Sequence, residues 1–129
     1  MKRSLQLNPD NRPSTWEQVK EWRSFHEEAP ILTSYGLMHA DPVSVDQRMR
    51  GAIDFFDSVS NENLIVWKQP SNTTVTLTLP QLKEVYDEVR TSVAVRRHAL
   101  HKASTAFRAM AEIPCVNKLK DINFWLANI

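Results

Sequence analysis

Residues 78–112, TLPQLKEVYDEVRTSVAVRRHALHKASTAFRAMAE, decide the fold. Thr78 and Gln81 have the spacing of a capping box, in which Thr78 is the N-cap of a helix. Pro80 fits inside the first turn of that helix. We expect one helix through this whole stretch, which Pro114 ends. A helix of about 30 residues at ~1.5 Å per residue is roughly 45 Å long. That is long for a chain of 129 residues.

A seven-residue repeat of apolar side chains runs along this helix. One set of positions holds Tyr86, Val93, Leu100 and Phe107, and the other holds Leu82, Val89, Arg96, Ala103 and Met110. Four heptads are enough to suggest coiled-coil packing. The stripe either packs on other helices of this chain or forms a seam with copies of it, and the pattern leaves both open. Arg96 interrupts the stripe, and a polar residue there can fix register or oligomeric state.

The chain before this helix divides into an arm and a domain. Pro9 and Pro13 bias the residues before them away from helix, so we expect an extended arm over 1–13. The arm is either a loose terminus or a segment that docks on a partner. A single domain is expected over 14–129.

A short helix and an irregular segment open the domain. Ser14 and Glu17 have the spacing of a capping box, and the helix they begin ends before Pro30. Residues 31–40 are expected to be irregular, with a turn at Ser34–Gly36.

A second helix and a hairpin follow. Asp41 is the expected N-cap of an amphipathic helix over 45–59. Residues 64–67 and 73–79 have strand character, and the alternation in the second of them is typical of a half-buried strand. We therefore expect a hairpin at about 64–79. The fold class is mainly α with a small β-hairpin (α+β), its helices packed around the long one.

Composition excludes several classes of protein. The 16 Lys and Arg nearly balance the 15 Asp and Glu, so the whole chain does not attract nucleic acid or anionic membrane. No fully apolar run, Leu64–Trp67 included, exceeds four residues, which is too short to span a bilayer. No secretory signal follows the basic N-terminus. The single Cys115 excludes an internal disulfide and suits a reducing compartment.

We expect no catalytic residues, metal site or cofactor, and hence no enzyme. His98 and His101 are three residues apart, but the side chains around them are cationic and would repel a metal ion. Asp54 and Asp57 lie in a sequence that predicts helix-surface charge rather than a cleft. Cys115 has no nearby histidine to activate it.

Basic residues collect in the second half of the long helix. Five of them lie between Arg90 and Arg108 with no acidic residue among them. Acidic residues precede them, an order that the helix dipole favours. The segment is a solvated helix face, a phosphate-binding stripe or a contact for an acidic protein surface, and the sequence leaves these open.

Residues 64–82, LIVWKQPSNTTVTLTLPQL, carry a family resemblance. The block resembles an uncharacterised domain family of bacteriophage tail proteins, associated with tail fibres and baseplates. The matching positions are Trp67, Asn72, Val75, Leu77, Thr78 and Leu82. With its flanking helices, the similarity extends over roughly residues 41–125. The resemblance implies structural roles for these positions and no catalytic residue.

The resemblance implies a structural or accessory component of a phage tail, in the baseplate or fibre-attachment region. Such a protein acts through interfaces with other tail proteins and forms a homo-oligomer, without a membrane; nucleic acid is not expected as a partner. It resides in the virion tail, and in the host cytoplasm during assembly. The alternatives are a tail-fibre assembly factor absent from the virion, or a small nucleic-acid-binding regulator that uses Arg90–Arg108. The residues expected at the interface are Leu5, Leu7, Val93, Leu100, Phe107 and Met110.

Overall fold

A computed structural model describes residues 11–59 and 64–129. The predicted α+β class is confirmed, with helices dominant beside two small antiparallel hairpins. Two compact units are present: one is Glu28–Val95, and the other joins the residues up to Glu27 with Arg96–Ile129. Most of the predicted arm lies outside the described residues, including Leu5 and Leu7.

Helix α1 (Trp16–Glu27) begins one residue later than predicted. The capping box is formed by Thr15 and Gln18: the Thr15 N–H donates to Gln18 Oε1 at 2.9 Å, and the Gln18 N–H donates to Thr15 Oγ1 at 3.2 Å. Ser14 is buried, and its N–H donates to the Pro114 carbonyl at 3.3 Å. That bond occupies the Ser14 N–H, which the predicted capping box would have paired with the Glu17 side chain.

A hairpin that the sequence analysis missed occupies part of the segment predicted to be irregular. Strands β1 (Ile31–Thr33) and β2 (Gly36–Met38) pair in antiparallel register, with Ile31 opposite Met38. The predicted turn is present between them. Gly36 has a φ of 109°, a conformation that only glycine adopts readily. Each strand has three residues, too few for a period of two to be recognised.

The next helix is not α-helical throughout. A π-helical segment (Val43–Met49) precedes α2 (Arg50–Ser58), where a single α-helix was predicted. Asp41 acts as the predicted cap, because its Oδ2 accepts a hydrogen bond from the Ser44 N–H at 3.1 Å. Val45 and Met49 are buried within the wide-turned segment.

The predicted hairpin is confirmed as β3 (Ile65–Lys68) and β4 (Thr74–Leu77). In its loop, the Asn72 N–H donates to the Gln69 carbonyl at 3.0 Å, and the Gln69 N–H donates to the Thr73 carbonyl at 2.8 Å. Pro70 is in the second position of that turn, where its fixed φ is favoured. Asn72 has a φ of 66°, and it is the only non-glycine residue with positive φ in the described part of the chain. A tight turn followed by a left-handed residue is a common hairpin loop.

Helix α3 (Leu79–Arg108) is the predicted long helix, and its capping box is confirmed. The Thr78 N–H donates to Gln81 Oε1 at 2.9 Å, and the Gln81 N–H donates to Thr78 Oγ1 at 3.2 Å. The helix ends at Arg108, before the predicted end of the stretch. Beyond that end, the Pro114 carbonyl accepts a hydrogen bond from the Ser14 N–H, which precedes α1, at 3.3 Å.

Each unit has its own hydrophobic core. In Glu28–Val95, side chains of both hairpins and the π-helical segment pack on the first half of α3. In the other unit, Val19 of α1 packs with the second half of α3 and with two short helices, α4 (Val116–Leu119) and α5 (Ile122–Leu126). Trp125 is fully buried there, 4.8 Å from the Phe107 ring centroid in an edge-to-face arrangement.

Candidate functional site

The predicted interface residues of the long helix lie mainly in the chain's own core. Leu100 and Phe107 have no accessible surface and pack in the same cluster as Val19. A fully buried side chain cannot contact a second copy in this fold, so these two residues leave the candidate interface. Val93 is half-buried against the hydrophobic core of Glu28–Val95, whereas 39% of the Met110 surface is exposed. The stripe therefore follows the alternative in which it packs on the same chain.

Arg96, which interrupts the stripe, caps the end of α1. Its Nη1 donates to the His26 carbonyl at 2.9 Å and to the Glu27 carbonyl at 3.4 Å. Carbonyl groups in the last turn of a helix have no helical partner, and the helix dipole favours a cation there. Burial lowers the pKa of the Arg96 guanidinium from its ordinary value. This side chain serves α1 and is not available to a phosphate group.

Other members of the basic segment also make contacts within the chain. The Arg90 guanidinium lies 5.1 Å from the Tyr86 ring centroid, and that of Arg108 lies 4.7 Å from the Trp16 ring centroid. Arg97 and Lys102 are exposed. The basic surface that a partner can reach is therefore smaller than the sequence suggests.

The aspartates and histidines singled out in the sequence are exposed, whereas Cys115 is half-buried. Asp54 pairs with Arg50 at 3.2 Å, and Asp57 pairs with Lys83 at 3.1 Å. His98 is exposed, and no three His, Cys, Asp or Glu side chains within residues 11–59 and 64–129 are placed to hold a metal ion. No helix in that part of the chain is long and apolar enough to cross a membrane.

The residues that carry the family resemblance hold the β3–β4 hairpin in place. Leu77 and Leu82 are fully buried, and Trp67 and Val75 pack half-buried against the same core. Asn72 supplies the left-handed residue of the loop. Their roles agree with the structural roles that the resemblance implies.

The strongest candidate contact surface is the β1–β2 hairpin. Leu32 and Leu37 are directly opposite each other in the register, and they retain 76% and 46% of their surface. Ile31 and Met38, the next opposed pair, are buried. Because side chains alternate between the two faces of a hairpin, the inward pair anchors it while the leucine pair is held outward.

Hydrogen bonds from α3 and from the second hairpin hold this surface in position. The Ser34 N–H and Oγ donate to Glu88 Oε1 at 3.1 and 3.0 Å, and the Tyr35 hydroxyl donates to Glu84 Oε1 at 3.1 Å. Desolvation, together with the hydrogen bond to Glu84, raises the pKa of the Tyr35 hydroxyl. Gln69 Nε2 donates to the carbonyls of Tyr35 and Leu37, at 3.3 Å each. The exposed leucines are therefore on a braced hairpin.

An acidic rim borders Leu32. A shallow cavity of about 380 Å³ is lined by Leu32 and by Asp87, Glu88, Thr91 and Ser92 of α3. A surface with an apolar centre and a polar rim is typical of a protein contact. The sequence has no periodic signal for this surface, because each of its strands has only three residues.

Comparison with known proteins places the chain in one family. It belongs to DUF4376, described as a domain of unknown function, which matches residues 10–122. The match therefore includes α1, for which the resemblance of the sequence block had no counterpart. No curated protein and no solved structure matches the chain.

Proposed function

We propose that the chain is a structural or accessory component of a bacteriophage tail, in the baseplate or fibre-attachment region, which acts through protein–protein contacts. The observation that carries this proposal is the opposed, exposed pair Leu32 and Leu37 on a hairpin braced by hydrogen bonds. A surface that is already ordered before binding loses less conformational entropy when a partner binds. The resemblance of residues 64–82 to the phage-tail family supports the virion tail as the setting.

The occupant that we propose for this hairpin is a second copy of the chain. The acidic Asp87 beside Leu32 has a complement in the exposed Arg97 and Lys102 of the other unit. A contact between two different surfaces of identical chains closes into a ring when its rotation permits. A closed ring is the arrangement that we expect of a symmetric tail component. Other tail proteins then bind the assembled ring.

Light scattering behind a sizing column tests the contact on the full chain. We expect a closed oligomer that dissociates toward a monomer of about 15 kDa when Leu32 and Leu37 are both changed to Ser. The control is Leu126→Ser, which removes a leucine of the other unit that is also 46% exposed, and it should leave the oligomer intact. A wild-type monomer, or an oligomer that the double variant preserves, would overturn the proposed contact.

A charge exchange tests the same contact from its rim. Asp87→Lys and Lys102→Asp should each weaken the oligomer. The two together should restore it, because the positive and negative charges then exchange places and still attract each other.

Mass spectrometry of purified phage particles decides between the two proposed roles in the tail. A chain present in stoichiometric amount is a virion component, whereas its absence from the particles favours the assembly factor. The first role resides in the virion, the second in the host cytoplasm.

A further inference from the structure

A second concave surface in Glu28–Val95 has a chemistry unlike that of the leucine pair. A cavity of about 430 Å³ lies between the π-helical segment and β3. Its lining residues are His39, Ser44, Arg48, Val66, Trp67 and Lys68. The volume falls within the range of small-molecule sites, and it is too small to hold a folded partner.

The charge around this cavity favours an anion. Arg48 and Lys68 are both exposed, and within the described residues neither forms an ion pair. Elsewhere in the same unit, Arg50 and Lys83 each have a carboxylate partner. The acids nearest to Ser44 and Arg48 in the sequence, Asp41 and Asp46, do not line the cavity. The Asp41 carboxylate accepts a hydrogen bond from the Ser44 N–H at 3.1 Å. Two cations with no carboxylate between them leave room for an oxyanion.

The wall of the cavity favours a ring. Trp67 is half-buried against the core, so its position is fixed, and it still lines the cavity. Val66 beside it is 65% exposed. An indole held in this way offers a flat apolar face on which a planar base or the C–H face of a sugar can pack.

We propose that this cavity binds a small ring-bearing oxyanion, with its phosphate or carboxylate between Arg48 and Lys68 and its ring against Trp67. Two kinds of ligand share this chemistry, a nucleoside monophosphate and an acidic hexose. The site is independent of the protein contact at Leu32 and Leu37. It also gives a role to Trp67 that a purely structural motif position would not have.

Isothermal titration of the full chain with adenosine 5′-monophosphate and with glucuronate tests the proposal. We expect saturable binding of one of them, in the millimolar range or tighter, and none of its uncharged counterpart, adenosine or glucose. Binding of the nucleotide alone identifies a base-bearing phosphate, and binding of glucuronate alone identifies an acidic sugar. Saturable binding of neither, or equal binding of the uncharged counterpart, would overturn the proposal.

Matched variants locate the ligand. Arg48→Gln should weaken binding about tenfold or more, because a charge-assisted hydrogen bond is lost. Arg50→Gln is the control, since that arginine is two residues away and already paired with Asp54, and it should change the affinity by less than about twofold. Trp67→Phe should reduce the preference for the ring ligand over inorganic phosphate. Equal effects of the two arginine variants, or inorganic phosphate bound as tightly as the ring ligand, would overturn the assignment.

Discussion

The Arg96 guanidinium donates to the backbone carbonyl of His26 at 2.9 Å, across 70 positions of sequence. One side chain thereby joins the C-terminal end of α1 to α3 within the same unit. In the sequence, Arg96 was an interruption of an apolar stripe and a candidate for phosphate binding. Its position in the fold gives it a structural role.

Replacing Arg96 should therefore destabilise the protein. We expect Arg96→Ala to reduce the free energy of unfolding by about 2 kcal/mol, because a partly buried hydrogen bond from a charged group is lost. Arg97→Ala, at the exposed neighbour, should change it by less than about 0.5 kcal/mol. Urea denaturation followed by circular dichroism measures both, and equal stability of the two variants would contradict the role of Arg96.

Glycine should be the only replacement for Asn72 that does not reduce the free energy of unfolding. Its φ of 66° is disfavoured for residues with a Cβ, and asparagine tolerates it better than most. Asn72→Ala should cost about 1 kcal/mol of unfolding free energy, whereas Asn72→Gly should cost little or nothing. Thermal and urea denaturation compare them; an alanine variant as stable as the glycine variant would show that the loop has another conformation.

Gly36 and Gln69 should be energetically coupled. A Cβ on residue 36 would overlap the Gln69 side-chain amide, and its φ of 109° would be strained as well. We expect Gly36→Ala to cost about 2 kcal/mol. The test is a double-mutant cycle measured by urea denaturation.

In that cycle, the Gly36→Ala, Gln69→Ala double variant should lose less stability than the sum of the two single variants. The first substitution already displaces the amide from the carbonyls of Tyr35 and Leu37, and the second relieves the overlap. Strictly additive losses would mean that the two side chains do not meet.

Asp41 should make the stability of the fold depend on pH in acid. Partial burial of its carboxyl acts to raise the pKa, but hydrogen bonds from Ser44 outweigh it and hold the pKa below the ordinary 3.8. A carboxyl whose pKa is depressed by folding stabilises the fold fully above its unfolded pKa. That contribution is lost as the pH falls through the folded pKa.

Comparison with Asp41→Asn isolates this contribution. The variant should be less stable than the wild type at neutral pH, by a fraction of a kcal/mol to about 1 kcal/mol. The difference should vanish at a pH well below 3.8. Urea denaturation over a pH series measures it, and a difference that stays constant into acid would exclude the Asp41 carboxylate as its source.

Local signals predicted a large part of the fold. The capping box of Thr78 and Gln81 was predicted correctly because its two partners are three residues apart and need no other part of the chain. The β3–β4 hairpin was predicted because its second strand alternates over enough residues to be recognised. At the start of α1 the predicted capping box was Ser14 with Glu17, but Thr15 and Gln18 form the box and the Ser14 N–H donates to the distant Pro114 carbonyl.

Local sequence patterns could not predict the candidate contact surface on the β1–β2 hairpin. Strands β1 and β2 are too short to show a period, and Ser34 is held by Glu88, 54 residues away. The cationic cavity likewise joins Arg48 and Trp67 from separate elements. The sequence did not single out Arg48, and it singled out Trp67 only as a structural position of the resemblance.

By itself, the sequence determined where helix α3 begins, where the β3–β4 hairpin turns, and which α3 positions form an apolar stripe. Each of these depends on residues within a few positions of one another, through capping, turn chemistry and periodicity. Only the tertiary structure decided that Leu100 and Phe107 pack in the chain's own core and that the Arg96 side chain caps the last carbonyls of α1. It also decided that Leu32 and Leu37 remain exposed. Those outcomes depend on which distant segments pack together, because burial is a property of the packed chain and not of the residue.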